Sequence, residues 1–194
     1  MEQTRFIAAI SMVIMTTTLV IEGKPRSIEG QPTVFVHIEN YAAVLSEPIA
    51  AAREELAHVY EAAGVRVESS ADTDHRRCAG RLTVHVVLLG GEAADRFVKS
   101  APVKRNVLAQ ANSEARRVYV FWERVGRSVD RHAVGRGDAL GLVIAHELGH
   151  VLLPAKGHSP TGIMQENYNV HFSYELKFTA EESAAMRAYI DALR

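Results

Sequence analysis

Val143-Ile144-Ala145-His146-Glu147-Leu148-Gly149-His150-Val151-Leu152-Leu153 is the stretch whose reading decides the fold. Its apolar residues run without a turn signal, which predicts a helix. Two histidines four apart on a helix stand on one face, with Cβ atoms about 5–6 Å apart, so both imidazoles can reach one metal ion. Glu147 follows the first histidine by one position and sits beside such an ion, where a carboxylate can take a proton from water. This is the mechanical content of the H-E-x-x-H pattern. An H-E-x-x-H can arise by chance, and a solvated surface helix would carry it at no cost. This helix is too apolar for that reading, because an unpaired glutamate and two histidines are expensive to bury. His158, eight residues beyond His150, offers a third ligand and leaves one tetrahedral position open for water and substrate. Read this way, the stretch belongs to a Zn2+ hydrolase.

The chain has 194 residues, 47% of them hydrophobic, which suits one domain with an ordinary core. A net charge of −1 with both signs interspersed argues against nucleic acid or an anionic membrane as the main partner. Arg76-Arg77 and Arg116-Arg117 read as solvated basic pairs. The single cysteine, Cys78, excludes an internal disulfide framework.

Arg5 precedes a largely apolar run from Phe6 to Ile21, short for a membrane span and suited to a signal-peptide core. No Ala-x-Ala cleavage site follows. Residues 1–24 are therefore read as a signal peptide or N-terminal membrane anchor, 25–32 as a linker and 33–194 as the folded domain. A secreted or periplasmic protein is expected, touching membrane only through the N-terminal segment.

The remaining pattern alternates strands and helices. Thr33 to Ile38 alternates apolar residues and predicts a strand. Ser46 is placed to cap a helix running to Ala63, with Ile49, Leu56, Val59 and Tyr60 at helical spacing and Gly64 as its stop. Val65 to Glu68 predicts a short strand, and Leu82, Val84, Val86 and Leu88 a longer one. Glu92 to Lys99 suits one or two helical turns, and Val107 to Ala111 a short edge strand. Val118 to Trp122 reads as a strand buried on both faces. Asp138 is placed to cap the helix ending near Leu153, where Pro154 and Gly157 turn the chain toward His158. Thr179-x-x-Glu182 is a capping box for a closing helix with Met186, Ile190 and Leu193 inward. The expectation is an α/β (α+β) domain: a twisted mixed sheet of four to five strands, a long first helix, a metal-bearing helix and a C-terminal helix.

His146-Glu147-Leu148-Gly149-His150, His158-Ser159 and Met164 within Gly162-Ile163-Met164 together resemble the metzincin zinc metallopeptidases, most nearly the matrixins. Those proteins carry H-E-L-G-H, a third zinc-binding His followed by Ser, and a methionine in a tight turn under the metal. The resemblance covers Ala145 to Met164 and is architectural elsewhere. It implies a zincin-like fold, zinc held by His146, His150 and His158, Glu147 as general base, Met164 as Met-turn support, and a peptide or protein substrate. It also implies that Leu108, Ala109, Gln110 and Ala111 form the substrate-binding edge. Metzincins usually place five residues between the second and third His, with Gly third after the second. Here seven intervene and Leu153 holds the Gly position, so Pro154 to Gly157 must make the reversal. Glu175 is the rival third ligand. A monomer is expected.

With three imidazoles on zinc, water ionises near neutral pH, and Glu147 passes its proton to the leaving amine. Tyr168 and Tyr174 read as packing residues. His37 and His85 fall in strand patterns, where hydrogen bonds to neighbours are expected. Cys78 reads as a free thiol on a loop. Two alternatives stand: a zincin-fold binding module that keeps zinc without catalysis, and a zinc hydrolase acting on a non-peptide amide.

Overall fold

The computed structural model describes residues 30–70, 81–100, 107–129, 135–153, 157–166 and 176–193. The expected leader and most of the linker, Cys78, Pro154, Tyr168, Tyr174 and Glu175 lie outside the described residues. Among the described residues, no helix is long and apolar enough to cross a membrane.

Chain order is β1 (Thr33–Asn40), α1 (Ser46–Ala62), β2 (Arg66–Ser70), β3 (Thr83–Leu89), α2 (Gly91–Ser100), β4 (Ala109–Asn112), β5 (Arg117–Phe121), α3 (Trp122–Val129), α4 (Arg136–Leu152) and α5 (Ala180–Ala192). The strands form one mixed five-stranded sheet in the order β2-β1-β3-β5-β4. Only β4 runs antiparallel, against β5. The α/β architecture with a long first helix, a histidine-bearing helix and a closing helix is as the residue pattern predicts.

Alternation along the strands sends Val34, Val36, Ile38, Val84, Val86, Leu88, Val118 and Val120 to one face of the sheet, where they build the main core with α1 and α4. On the opposite face, Val87, Leu89 and Phe121 pack with Phe97 and Val98 of α2 in a smaller cluster. The rest of that face carries His85, His37 and Glu39, with Phe35 lying under the Arg81 guanidinium at 4.7 Å.

Helices α1 and α4 approach closely because α4 has almost no side chain along one ridge. A Cβ on Gly137 would lie 2.9 Å from the Pro48 carbonyl oxygen, and one on Gly141 would lie 2.7 Å from that of Ala52. Ala145 continues the ridge, and its carbonyl accepts the Tyr60 hydroxyl at 3.0 Å. The i, i+4 row Gly137, Gly141, Ala145 thus acts as a groove for α1. It fixes the height and rotation of the helix that presents the histidines.

Four details differ from the sequence expectation. Leu45, not Ser46, occupies the cap of α1, with no side-chain cap bond. Pro48 lies in that first turn and has no N–H, so one donor that a cap would satisfy is absent. Gly135, not Asp138, caps α4, and Asp138 sits in the first turn, where a carboxylate favours the helix dipole. Trp122 begins α3 rather than ending the strand, and α3 buries Val125, Gly126 and Val129. Leu193 lies past the end of α5 and is 45% exposed.

Candidate metal centre

Helix α4 carries His146 and His150 on one face, with ring centroids 4.8 Å apart and their Nε2 atoms separated by 3.1 Å. His158 comes from the loop after the helix, its ring 5.4 Å from that of His146 and 4.9 Å from that of His150. One ligating nitrogen from each ring lies within 4.8 Å of the others, a grouping that could hold a metal ion. The structure therefore brings all three histidines together despite the lengthened spacing.

The loop is aimed by a hydrogen-bonded frame. Gly162 has φ +78°, and a Cβ there would also run into the Lys177 carbonyl, so this reversal requires glycine. Beyond it the Met164 carbonyl accepts the Ser159 N–H at 2.8 Å, and the Lys177 carbonyl accepts the Ile163 N–H at 3.0 Å. The Ser159 hydroxyl donates to Oε1 of Glu182. Oε2 of Glu182 accepts the Thr179 N–H at 2.8 Å, completing a capping box on α5. Glu182 is only 2% exposed. A buried carboxylate thus joins the start of α5 to the residue beside His158, a role beyond the capping that its spacing predicted.

The donor chemistry fits a metal. The Ile163 carbonyl accepts the Nδ1 proton of His146 at 2.7 Å, which leaves Nε2 as the ring's lone-pair nitrogen. Burial lowers the His146 pKa against the opposing pull of that carbonyl, and the nearby His158 lowers it further. Burial, then His146 and His158, push the His150 pKa down to about 4. Both rings are held neutral, the form that ligates. Three neutral imidazoles are a donor set suited to Zn2+. Glu175 lies outside the described residues.

Glu147 projects toward the edge strand. Burial pushes its carboxyl up to about 7, and the Ala111 N–H donated to it pulls the other way. The register explains why that donor is available. Leu108 accepts from Phe121 at 2.9 Å, and Gln110 stands opposite Tyr119, so main-chain groups of Leu108 and Gln110 face β5. By antiparallel alternation, those of Ala109 and Ala111 face away from it. The Gln110 side chain goes to the sheet face opposite α4, where its Oε1 is buried without a partner among the described residues. Of the four residues expected at the edge, Ala109 and Ala111 present their backbone outward.

Met164 is fully buried in the turn that follows His158. A Cβ on Gly149 would collide with its Sδ and would lie 3.1 Å from Cε1 of Phe178. The glycine inside the H-E-L-G-H stretch is therefore a packing requirement: it extends the small ridge of α4 onto the methionine. The Ser113 hydroxyl donates to the His150 carbonyl at 3.0 Å, tying the β4–β5 turn to the same helix. Ser113 and the Ile163 carbonyl carried no sequence signal, since both act through the fold.

No protein family's sequence profile matches the chain, and no curated protein matches it in sequence. Solved structures do match in shape. A zinc-dependent peptidase from Methanocorpusculum labreanum aligns with a TM-score of 0.51 at 12% identity, covering 79% of this chain and 99% of that one. An archaemetzincin from Methanopyrus kandleri aligns with a TM-score of 0.49 at 16% identity, covering 84% and 98% respectively. At such identities the first likeness concerns the fold.

Proposed function

We propose that this chain is a zinc-dependent metallopeptidase of metzincin type, with His146, His150 and His158 holding the ion and Glu147 as general base. One observation carries the reading: three imidazole nitrogens converge beside a buried carboxyl that is tethered to the main chain of the edge strand β4. The fold shared with the Methanocorpusculum protein, itself a zinc-dependent peptidase, supports it. A structural zinc site normally closes with four protein ligands and has no use for a buried carboxyl alongside.

When bound, zinc supplies Lewis acidity, which brings the ionisation of water close to neutral pH. The protein's own groups do the rest. His146 keeps its ligating tautomer through Ile163. Glu147, with its carboxyl pushed up to about 7, is suited to take a proton from water near neutrality and to return it to the leaving amine. A peptide laid along β4 pairs its backbone with the outward groups of Ala109 and Ala111, which gives affinity with little side-chain selectivity. Met164 supports the histidines from below in the manner of a Met-turn, closest to the matrixin arrangement. Residues 1–24 act as a signal peptide or anchor that places the domain outside the cytoplasm.

The test is zinc content and peptide cleavage by wild type, Glu147→Ala and His158→Ala. Wild type should bind zinc and cleave. Glu147→Ala should bind zinc without cleaving, and His158→Ala should lose zinc affinity. Zinc bound by wild type without cleavage of any peptide or protein overturns the peptidase reading. It would leave a binding module or a hydrolase of other amides.

A further inference from the structure

A second cluster lies on the open face of the sheet, away from α4. His37 of β1 and His85 of β3 stand in register on adjacent parallel strands, so their side chains emerge about 4.8 Å apart on one face. Glu39 follows His37 by two positions and shares that face. The two rings meet edge to face, with centroids 5.5 Å apart at 73°. Glu39 Oε1 lies 3.0 Å from His85 Nδ1. One ligating atom from each of the three residues falls within 4.8 Å of the other two, the same spread as at the first centre. The side chains are neither sealed nor fully solvated: His85 is 33% and Glu39 21% exposed. Helix α2 stops short of them, packing on Val87, Leu89 and Phe121.

We propose that His37, Glu39 and His85 form a second metal site, taking Zn2+ or a similar first-row divalent ion, separate from the centre on α4. The rival account is a surface ion pair between His85 and Glu39, which involves two of the three converging donors. Two imidazoles and one carboxylate are a common donor set for such ions, with the remaining positions left to water. The donors stand on neighbouring strands in the middle of the sheet, β1 and β3, so the backbone holds them in place before any ion arrives. Bound there, an ion would clip β1 to β3. Arg117 stands in register on the far side of His85. Its charge opposes a cation, so this site should bind more weakly than the three-histidine centre. The inference does not depend on the peptidase reading.

The experiment titrates the metal-free full-length chain with zinc against a chromophoric chelator. Wild type should take two equivalents in two affinity classes. His37→Gln/His85→Gln should take one, losing the weaker class and keeping the tighter, while His158→Ala should weaken the tighter class and leave the weaker. A single equivalent in wild type overturns the proposal whatever the variants do. So does a weaker class that survives His37→Gln/His85→Gln, because it would then belong to other groups. Circular dichroism of each variant confirms that a lost equivalent is not a lost fold.

Discussion

Replacing Glu147 with glutamine should stabilise the metal-free protein while abolishing its chemistry. The carboxyl is pushed from its ordinary 4.5 up to about 7, first by burial, with the Ala111 N–H opposing. The folded chain therefore holds a proton between those values that the unfolded chain has released, and the contribution of this carboxyl to wild-type stability falls as pH rises through that window. At about 1.4 kcal/mol per tenfold, the displacement corresponds to about 3 kcal/mol once both states are ionised. Glutamine matches glutamate in shape, never ionises, and its amide oxygen can still accept the Ala111 N–H. The variant should equal wild type in acid, gain steadily from pH 4.5 to 7, and level off about 3 kcal/mol more stable. Protonation of the histidines affects both proteins alike and drops out of the difference. Urea unfolding in chelator at a series of pH values reads this directly. With a slope of about 2 kcal/mol per molar, the midpoint should rise by roughly 1.5 M at pH 8. Added zinc should shrink the gain, because a nearby cation favours the carboxylate. Peptide cleavage should fall by roughly 10²–10⁴. A stability difference that stays constant across pH would show that Glu147 ionises in the folded chain as it does in water, and the reasoning would fail.

Further outcomes can be checked with the same protein. Ser159→Ala and Glu182→Gln should each weaken zinc binding by roughly 10- to 100-fold in chelator competition, as loss of a group that orients a ligand usually does. Both leave the three histidines intact. Gly149→Ala should destabilise the domain by about 1–3 kcal/mol through overpacking on Met164, and Met164→Ala by about 2–5 kcal/mol. The double variant should lose less than the sum, since removing the sulfur makes room for the methyl group. In the metal-free Glu147→Gln variant, where the opposing carboxyl titration is gone, stability should fall as pH drops from 6.5 toward 4, because His150 is held neutral when folded and takes a proton when unfolded. Zinc should deepen that acid sensitivity, visible as a pH-dependent thermal midpoint.

Much of this was legible where periodicity and chemistry coincide. The strands around Val34–Ile38 and Val84–Leu88, the α4 helix and the Thr179–Glu182 box follow from alternation, helical spacing and capping. The two histidines of α4 needed only their four-residue interval. His158 was placed by its position after a turn, although the path through 154–156 lies outside the described residues. Harder to see was anything that depends on two distant segments meeting. Trp122, Val125 and Val129 have helical spacing, but the bulky Val118–Phe121 run before them invited reading the tryptophan into the strand. Gly137, Gly141 and Gly149 look like loosening residues until α1 and Met164 are packed against them. Glu182 was explained by its cap alone, because Ser159 is distant in sequence.

On the proposed peptidase reading, the bond between the Ala111 amide and the Glu147 carboxyl would also make the β4 edge directional. Of the four outward main-chain groups on Ala109 and Ala111, one is already engaged by Glu147, so on that reading an incoming chain would find three among the described residues. A polypeptide shifted so as to claim the fourth would have to pull the proton acceptor out of line. Misregistered cargo would thereby switch off its own hydrolysis. Cleavage position would then be governed by counting residues along the rim, whatever side chains they bear.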